Sequence, residues 1–195
     1  MARYRKHPFL AGCIGLFLLH GGQVRADTAK GVFVDLSLGA AAAHFQDIGQ
    51  AAVSSSDQSG FAVKLGAGYW LSPKWGIFVR GLRSASIERK YEAGPYEARV
   101  ESIGVGTQYR FFTAKRLSGV VKLALERVRT DVRESPGGMA FERLDGGSTN
   151  LLVGGLELDY ALNDSVELFM EIEGNRDLGK RLEASYSGIG LRVSL

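Results

Sequence analysis

Ten residues at the end of the chain set the tightest limit on what it can fold into. In Tyr186-Ser187-Gly188-Ile189-Gly190-Leu191-Arg192-Val193-Ser194-Leu195, odd positions from 189 read Ile, Leu, Val and Leu, while the even ones read Gly, Arg and Ser. A period of two sends the two sets to opposite faces of a strand. The apolar face runs to the last residue, and an uncovered apolar edge of this kind invites aggregation. Pairing the strand with the first strand of the same sheet removes the edge, and lipid can cover the outer face. The stretch reads as the closing seam of a membrane β-barrel.

Residues 1–26 read as a secretory signal peptide. Arg3, Arg5 and Lys6 precede a short apolar core over 9–19, and Val24-Arg25-Ala26 offers small side chains where a signal peptidase cuts. That core is too short for a comfortable membrane helix. Leu10-Ala11-Gly12-Cys13 is lipobox-like, but most of the apolar core follows Cys13, which favours ordinary cleavage after Ala26. Loss of Arg3, Arg5, Lys6 and Arg25 takes 24 basic residues to 20 against 21 acids, so the formal charge of +3 falls to about −1. A nucleic-acid partner loses its electrostatic basis. The only cysteine leaves with the signal, which excludes disulfides and two-cysteine metal motifs. The remainder, 27–195, is of one-domain size, with no linker or low-complexity tract.

Seven further segments alternate in the same way. Over 32–44, Val32, Val34, Leu36, Leu38 and Ala40 oppose Phe33, Asp35, Ser37 and Gly39; over 61–71, Phe61, Val63, Leu65, Ala67 and Tyr69 oppose Lys64, Gly66 and Gly68. Trp75, Ile77 and Val79 oppose Phe78 and Arg80 over 75–85, and Ile103, Val105, Tyr109 and Phe111 oppose Ser102, Gly104, Gly106, Gln108 and Arg110 over 99–112. Segments 117–130, 151–162 and 166–175 set Val121, Leu123, Leu125, Leu156, Leu158, Tyr160, Val166, Leu168, Met170 and Ile172 against Lys122, Ala124, Glu126, Gly155, Glu157, Asp159, Glu167, Glu171 and Glu173. Connections alternate too. Tight turns at 72–74, 113–116 and 163–165 contrast with long polar loops at 46–60, 86–98 and 133–148 and a moderate one at 176–184. Short periplasmic turns and long external loops are the outer-membrane pattern, with Tyr69, Trp75, Tyr109, Phe111 and Tyr160 as the periplasmic aromatic girdle. The fold predicted is an all-β, eight-stranded antiparallel up-and-down transmembrane barrel over 27–195.

On these features the chain resembles the small eight-stranded outer-membrane barrels: the OmpA transmembrane domain, OmpX and the opacity-type surface proteins. The resemblance implies residence in the bacterial outer membrane and recognition of the C-terminal strand by the barrel-assembly machinery. Such proteins usually end in Phe or Trp, where this chain has Leu195. Some small barrels modify lipid A, their deacylases using a His-x-Ser pair; His44, the only histidine after the signal, is followed by Phe45 and Gln46. The expected function is a non-enzymatic surface barrel serving envelope integrity or loop-mediated adhesion to host or surface molecules, without a cofactor. The alternatives are a lipid A-modifying enzyme and a narrow porin-like channel.

An eight-stranded barrel is just wide enough for its side chains to fill. Lys64, Arg80, Lys122 and Arg192, with Glu126, Glu157, Asp159, Glu167, Glu171 and Glu173, all have inward parity. Charges there must pair or keep water, so the set reads as a structural ionic network. Three Gly-x-Gly pairs, 66/68, 104/106 and 188/190, also face inward; none continues into a dinucleotide fingerprint, and they make room for long side chains. Asp145-Gly146-Gly147-Ser148-Thr149-Asn150 lacks the spaced acids of a calcium loop and reads as turn chemistry. Arg83, Arg99, Arg127 and Arg129 share outward parity; Arg83 lies eight residues from Trp75, Arg99 ten from Tyr109 and Arg127 ten from Leu117. At ~3.3 Å per residue and a tilt near 40°, they emerge about 20–25 Å up, at the outer edge of the apolar band. They are candidate contacts for lipopolysaccharide phosphates.

Overall fold

Alternating strands become a closed ring in the computed structural model. It describes residues 31–45, 58–85, 87–91, 94–134, 142–144, 148–177 and 182–195; the predicted signal segment 1–26 lies outside them. The strands are β1 (Gly31–Phe45), β2 (Gln58–Trp70), β3 (Trp75–Ser84), β4 (Ile87–Tyr91), β5 (Gly94–Ala114), β6 (Leu117–Glu134), β7 (Glu142–Leu144), β8 (Ser148–Ala161), β9 (Val166–Asp177) and β10 (Leu182–Ser194). Eight are barrel strands, all but β4 and β7. They pair antiparallel in the order β1, β2, β3, β5, β6, β8, β9, β10, and β10 returns to β1 from Phe33↔Ser194 to Phe45↔Leu182. The predicted seam is thus the closing pair, and no barrel edge is left to aggregate.

Polar side chains shape the tight turns. Ser72 Oγ accepts from the Trp75 amide at 3.0 Å, and Asn163 Oδ1 accepts from Ser165 and Val166 at 2.9 Å. Lys115 takes φ of 53° between β5 and β6. The Leu195 amide donates to the Val32 carbonyl at 2.9 Å and that of Ser194 to Ser165, so the two ends of the barrel chain share the tight-turn rim.

The opposite rim corrects the sequence reading. Segments 86–98 and 133–148 are not wholly loop: β4 pairs with the start of β5 from Ile87↔Ala98 to Tyr91↔Gly94, and β7 pairs with the end of β6. β5 and β6 stay paired up to Tyr96↔Glu134, so a four-stranded ribbon, β4-β5-β6-β7, stands beyond the barrel wall. β9, β10 and β2 likewise run into the segments read as loops at 176–184 and 46–60. Ladder hydrogen bonding needs no apolar alternation, and Ile87–Tyr91 and Glu142–Leu144 carry none in sequence. Within the 145–150 segment, Ser148 to Asn150 open β8, while 145–147 lie outside the described residues.

Burial is inverted relative to a soluble protein. The most exposed large apolar residues on the wall are Ile103 (68%), Val105 and Leu65, while Arg192 is fully buried. At the tight-turn rim Trp75 packs on Tyr109 with ring centroids 4.7 Å apart. A bulge between Arg110 and Phe112 leaves Phe111 and Phe112 both exposed, edge to face at 5.2 Å. The apolar belt is uneven in height. Counted from the tight-turn rim, it climbs to Phe61, Ile103, Leu125 and Leu152 on β2, β5, β6 and β8. It stops one outward step sooner, at Ile172, Ile189 and Leu38, on β9, β10 and β1. There a register row of small residues, Gly154, Gly174, Ser185 and Ala42, crosses β8, β9, β10 and β1.

Glycines on the two faces therefore respond differently to a methyl group. At Gly106, facing in, a Cβ would sit 2.5 Å from the Leu123 carbonyl and 2.9 Å from Ala124 Cβ; at Gly154, facing out, it would meet nothing within 4 Å. Gly106→Ala should destabilise the barrel by about 1–3 kcal/mol through overpacking. Gly154→Ala should hold or gain up to about 1 kcal/mol by restricting the unfolded chain. Urea midpoints, read by heat-modifiable migration on gels, check both; equal midpoints for the two variants would contradict the inward placement of Gly106.

Candidate functional site

Inward parity on eight strands delivers charged side chains into one narrow space, and there they meet. Lys64 on β2 sets Nζ 2.7 Å from Glu171 Oε2 and 3.0 Å from Glu173 Oε2, both on β9. Arg80 on β3 binds Glu126 Oε1 on β6 through Nε at 2.6 Å, and Glu173 Oε1 through Nη1 at 2.5 Å. Lys122 on β6 pairs with Glu157 on β8 and lies 3.2 Å from Glu171 Oε2. Ser37 Oγ donates to Glu171 Oε1 at 2.8 Å and lies 2.9 Å from the Tyr186 hydroxyl.

A second cluster lies towards the tight-turn rim, centred on Arg192 of β10. Its Nη2 is 2.9 Å from Glu157 Oε1 and 3.4 Å from Asp35 Oδ2, and its Nη1 is 3.6 Å from both Asp159 Oδ2 and Glu167 Oε2. Arg110 reaches Glu167 Oε1 at 3.4 Å and Asp159 Oδ2 at 4.0 Å. Aromatic rings line both layers. Arg110 lies over Trp70 at 4.4 Å, Arg192 over Phe33 at 4.9 Å and Phe169 at 5.2 Å, and Lys64 over Tyr186 at 4.2 Å. Inward glycines leave the space these groups occupy: a Cβ at Gly66 would strike the Asp35 carboxylate, at Gly104 Glu126, at Gly190 the Phe169 ring.

All ten inward residues chosen from sequence therefore sit in this interior, Glu167 with its side chain one-fifth exposed. Asp35 and Arg110 complete the set; both have the right parity, and the signal that marks them is their charge on inward positions. The aromatic lining gave no such signal. Each of the five bases lies within 4.0 Å of at least two carboxylates, and each of the seven carboxylates has a basic neighbour. Among the described residues no group of three or more His, Cys, Asp or Glu could hold a metal. His44 takes a register position opposite Glu183.

Of the outward arginines, Arg83 is spent on Glu101, Nε to Oε1 at 3.3 Å, and Arg127 Nη2 is 3.4 Å from Ser148 Oγ. Arg129 stands across from Glu101 and Ser148 in register, Arg99 across from Asp131.

A closed eight-stranded barrel with apolar residues outside and ion pairs inside has the fold of the small bacterial outer-membrane β-barrels. No protein-family model and no curated protein sequence matches the chain. Among solved structures it is similar to Neisserial surface protein A, NspA, at 19% identity and a TM-score of 0.66, covering 85% of this chain and 97% of that one. It is similar too to OprG of Pseudomonas aeruginosa (13%, TM-score 0.57, 87% and 99% covered). A third is Ail, the attachment invasion locus protein of Yersinia pestis, solved in complex with the heparin analogue sucrose octasulfate (13%, TM-score 0.55, 85% and 99% covered).

Removing one partner from the interior leaves the others charged and confined. Arg192→Leu takes a base from four carboxylates, Asp35 losing the one it is paired with, and Glu171→Leu takes one of two carboxylates from Lys64 and from Lys122, so each should cost about 1–3 kcal/mol. Urea titration in detergent micelles measures the loss; wild-type midpoints in both variants would show that the network does not hold the barrel together.

Proposed function

We propose that the chain is a non-enzymatic outer-membrane surface protein: a sealed barrel that supports the envelope and presents the β4-β5-β6-β7 ribbon to molecules outside the cell. The observation that carries this reading is the crosswise pairing of the interior, with Arg80 on β3 held at once by β6 and β9. Side chains that tie opposite walls together fill the lumen that a channel would need, and their mutual neutralisation removes the free acid or base an enzyme would need. The paired ribbon supports the binding role, because ordered backbone beyond the belt costs less entropy on binding than a floppy loop. Ail shares this fold and was solved with a sulfated-sugar analogue, which makes sulfated glycans the ligand class to try first.

In this reading both ends of the mature chain, with the turns at 72–74 and 163–165, face the periplasm, and the C-terminal strand is the segment read by the barrel-assembly machinery. Protease added to intact cells should cut only within 46–60, 86–98, 133–148 and 176–184, and cutting at 72–74 or 163–165 would reverse the orientation. The purified barrel should be silent in planar bilayers, and the mass spectrum of lipid A should not depend on the gene. Discrete conductance steps would favour the narrow channel, and an altered lipid A acylation pattern the enzyme. Exchanging 87–97 for a short turn should abolish cell-surface binding while heat-modifiable migration persists.

A further inference from the structure

On the outer wall, where the apolar belt gives way to charge, a groove of about 500 Å³ opens between β5, β6 and β8, lined by Arg127, Arg129, Glu101, Ile103 and Ser148. We propose that this groove is a lipopolysaccharide site in which Arg127 and Arg129 clasp a lipid A phosphate; the proposal rests on the outer-membrane reading above. Height is the first argument. Arg127 stands ten residues up β6 from Leu117, a climb of about 25 Å at ordinary strand rise and tilt, which matches the apolar band of such barrels. Below it on the same face is Leu125, and directly across the ladder from Arg127 is Ile103, both more than half exposed to the surrounding hydrocarbon. A group at the level of Arg127 therefore meets the headgroup layer, and acyl chains fall naturally along Leu125, Ile103 and Val105.

Charge is the second argument, and it separates the four arginines expected from sequence. Arg83 is paired with Glu101. Arg127 is held from one side by the Ser148 hydroxyl, a neutral partner that orients the guanidinium, and among the described residues no carboxylate is bound to it. Arg129 lies on the same face one outward step higher, and among the described residues it has no carboxylate bound to it; its cross-strand neighbour Glu101 is drawn to Arg83 instead. Two guanidiniums on adjacent outward positions of one strand are about 7 Å apart along the chain, close enough to share one phosphate through its separate oxygens. Glu101 thus sets the strength of the site. Held by Arg83 it is partly neutralised, and freed it would compete with phosphate for Arg129.

The test is lipopolysaccharide retained per folded barrel after extraction from outer membranes and gel filtration. Arg127→Gln with Arg129→Gln should lower retention roughly tenfold, the scale of losing charged hydrogen bonds. Glu101→Gln should raise it, and Arg83→Gln should lower it modestly by releasing Glu101. Reconstitution with lipid A stripped of its phosphates should bring the wild type down to the double variant. Heat-modifiable migration and outer-membrane fractionation, unchanged in every variant, keep this outcome separate from the residence reading. Wild-type retention in the double variant, or equal retention of phosphorylated and stripped lipid, would overturn the site. Loss of sucrose octasulfate binding in the double variant, with lipid retention intact, would also overturn it, by showing a soluble-polyanion surface instead.

Discussion

Every peptide N–H and C=O that faces hydrocarbon must find a partner within the protein, since an unpaired one costs several kcal/mol and lipid offers none. The β1–β10 ladder is where that requirement is met or fails, because it alone joins the two ends of the sheet. It runs over thirteen register pairs, and the Leu195 amide adds a bond to Val32 beyond the last of them. Without it the sheet would have two edges in lipid, and no arrangement of side chains could compensate. Closure in turn fixes the lumen's width, and the width forces the rest of the interior chemistry.

Within so narrow a ring, each inward position has neighbours across the axis as well as along the wall. The bases sit mainly on β2, β3, β5, β6 and β10, and the acids mainly on β8 and β9, so attraction pulls one half of the wall towards the other. Glu157 and Glu171 each serve two bases on different strands, and Glu157, shared by Lys122 and Arg192, couples the two layers. Glycine is as necessary here as charge. The long side chains of Glu126, Phe33, Phe78 and Phe169 lie where a Cβ on Gly104, Gly68, Gly106 or Gly190 would otherwise stand. Ion pairs and voids on the inner face are two aspects of one packing solution.

Parity was legible in the sequence and register was not. A period of two tells which face a residue takes, so Lys64, Glu171 and Arg192 could be sent inward from their neighbours alone. The partner of each depends on how far adjacent strands are staggered, and a shift by two residues keeps parity while changing every pair. That is why Arg80 could be placed inside but not joined to Glu126 and Glu173. The ribbon escaped for a different reason: Ile87–Tyr91 reads Ile-Glu-Arg-Lys-Tyr and Glu142–Leu144 reads Glu-Arg-Leu, so neither carries the apolar alternation that marks a strand. The bulge at Phe111 escaped as well, because one extra residue in a ladder leaves no mark on composition.

The low stretch of belt on β9, β10 and β1 bears on the bilayer itself. Gly174, Ser187 and Ala40 stand where the taller strands carry Leu, Ile or Phe, and Gly154, Gly174, Ser185 and Ala42 extend that furrow across four strands. Gly81 leaves a similar gap on β3, but Leu65 and Ile103 flank it in register and cover it. A slab of uniform thickness cannot match a cylinder whose apolar height differs from one side to the other. The mismatch is relieved when the axis leans or the outer leaflet dips beside the seam, each at fractions of a kcal/mol per Å. A dip there thins the membrane next to the two strands that close the ring, and so shortens the span of hydrocarbon that the seam must cross.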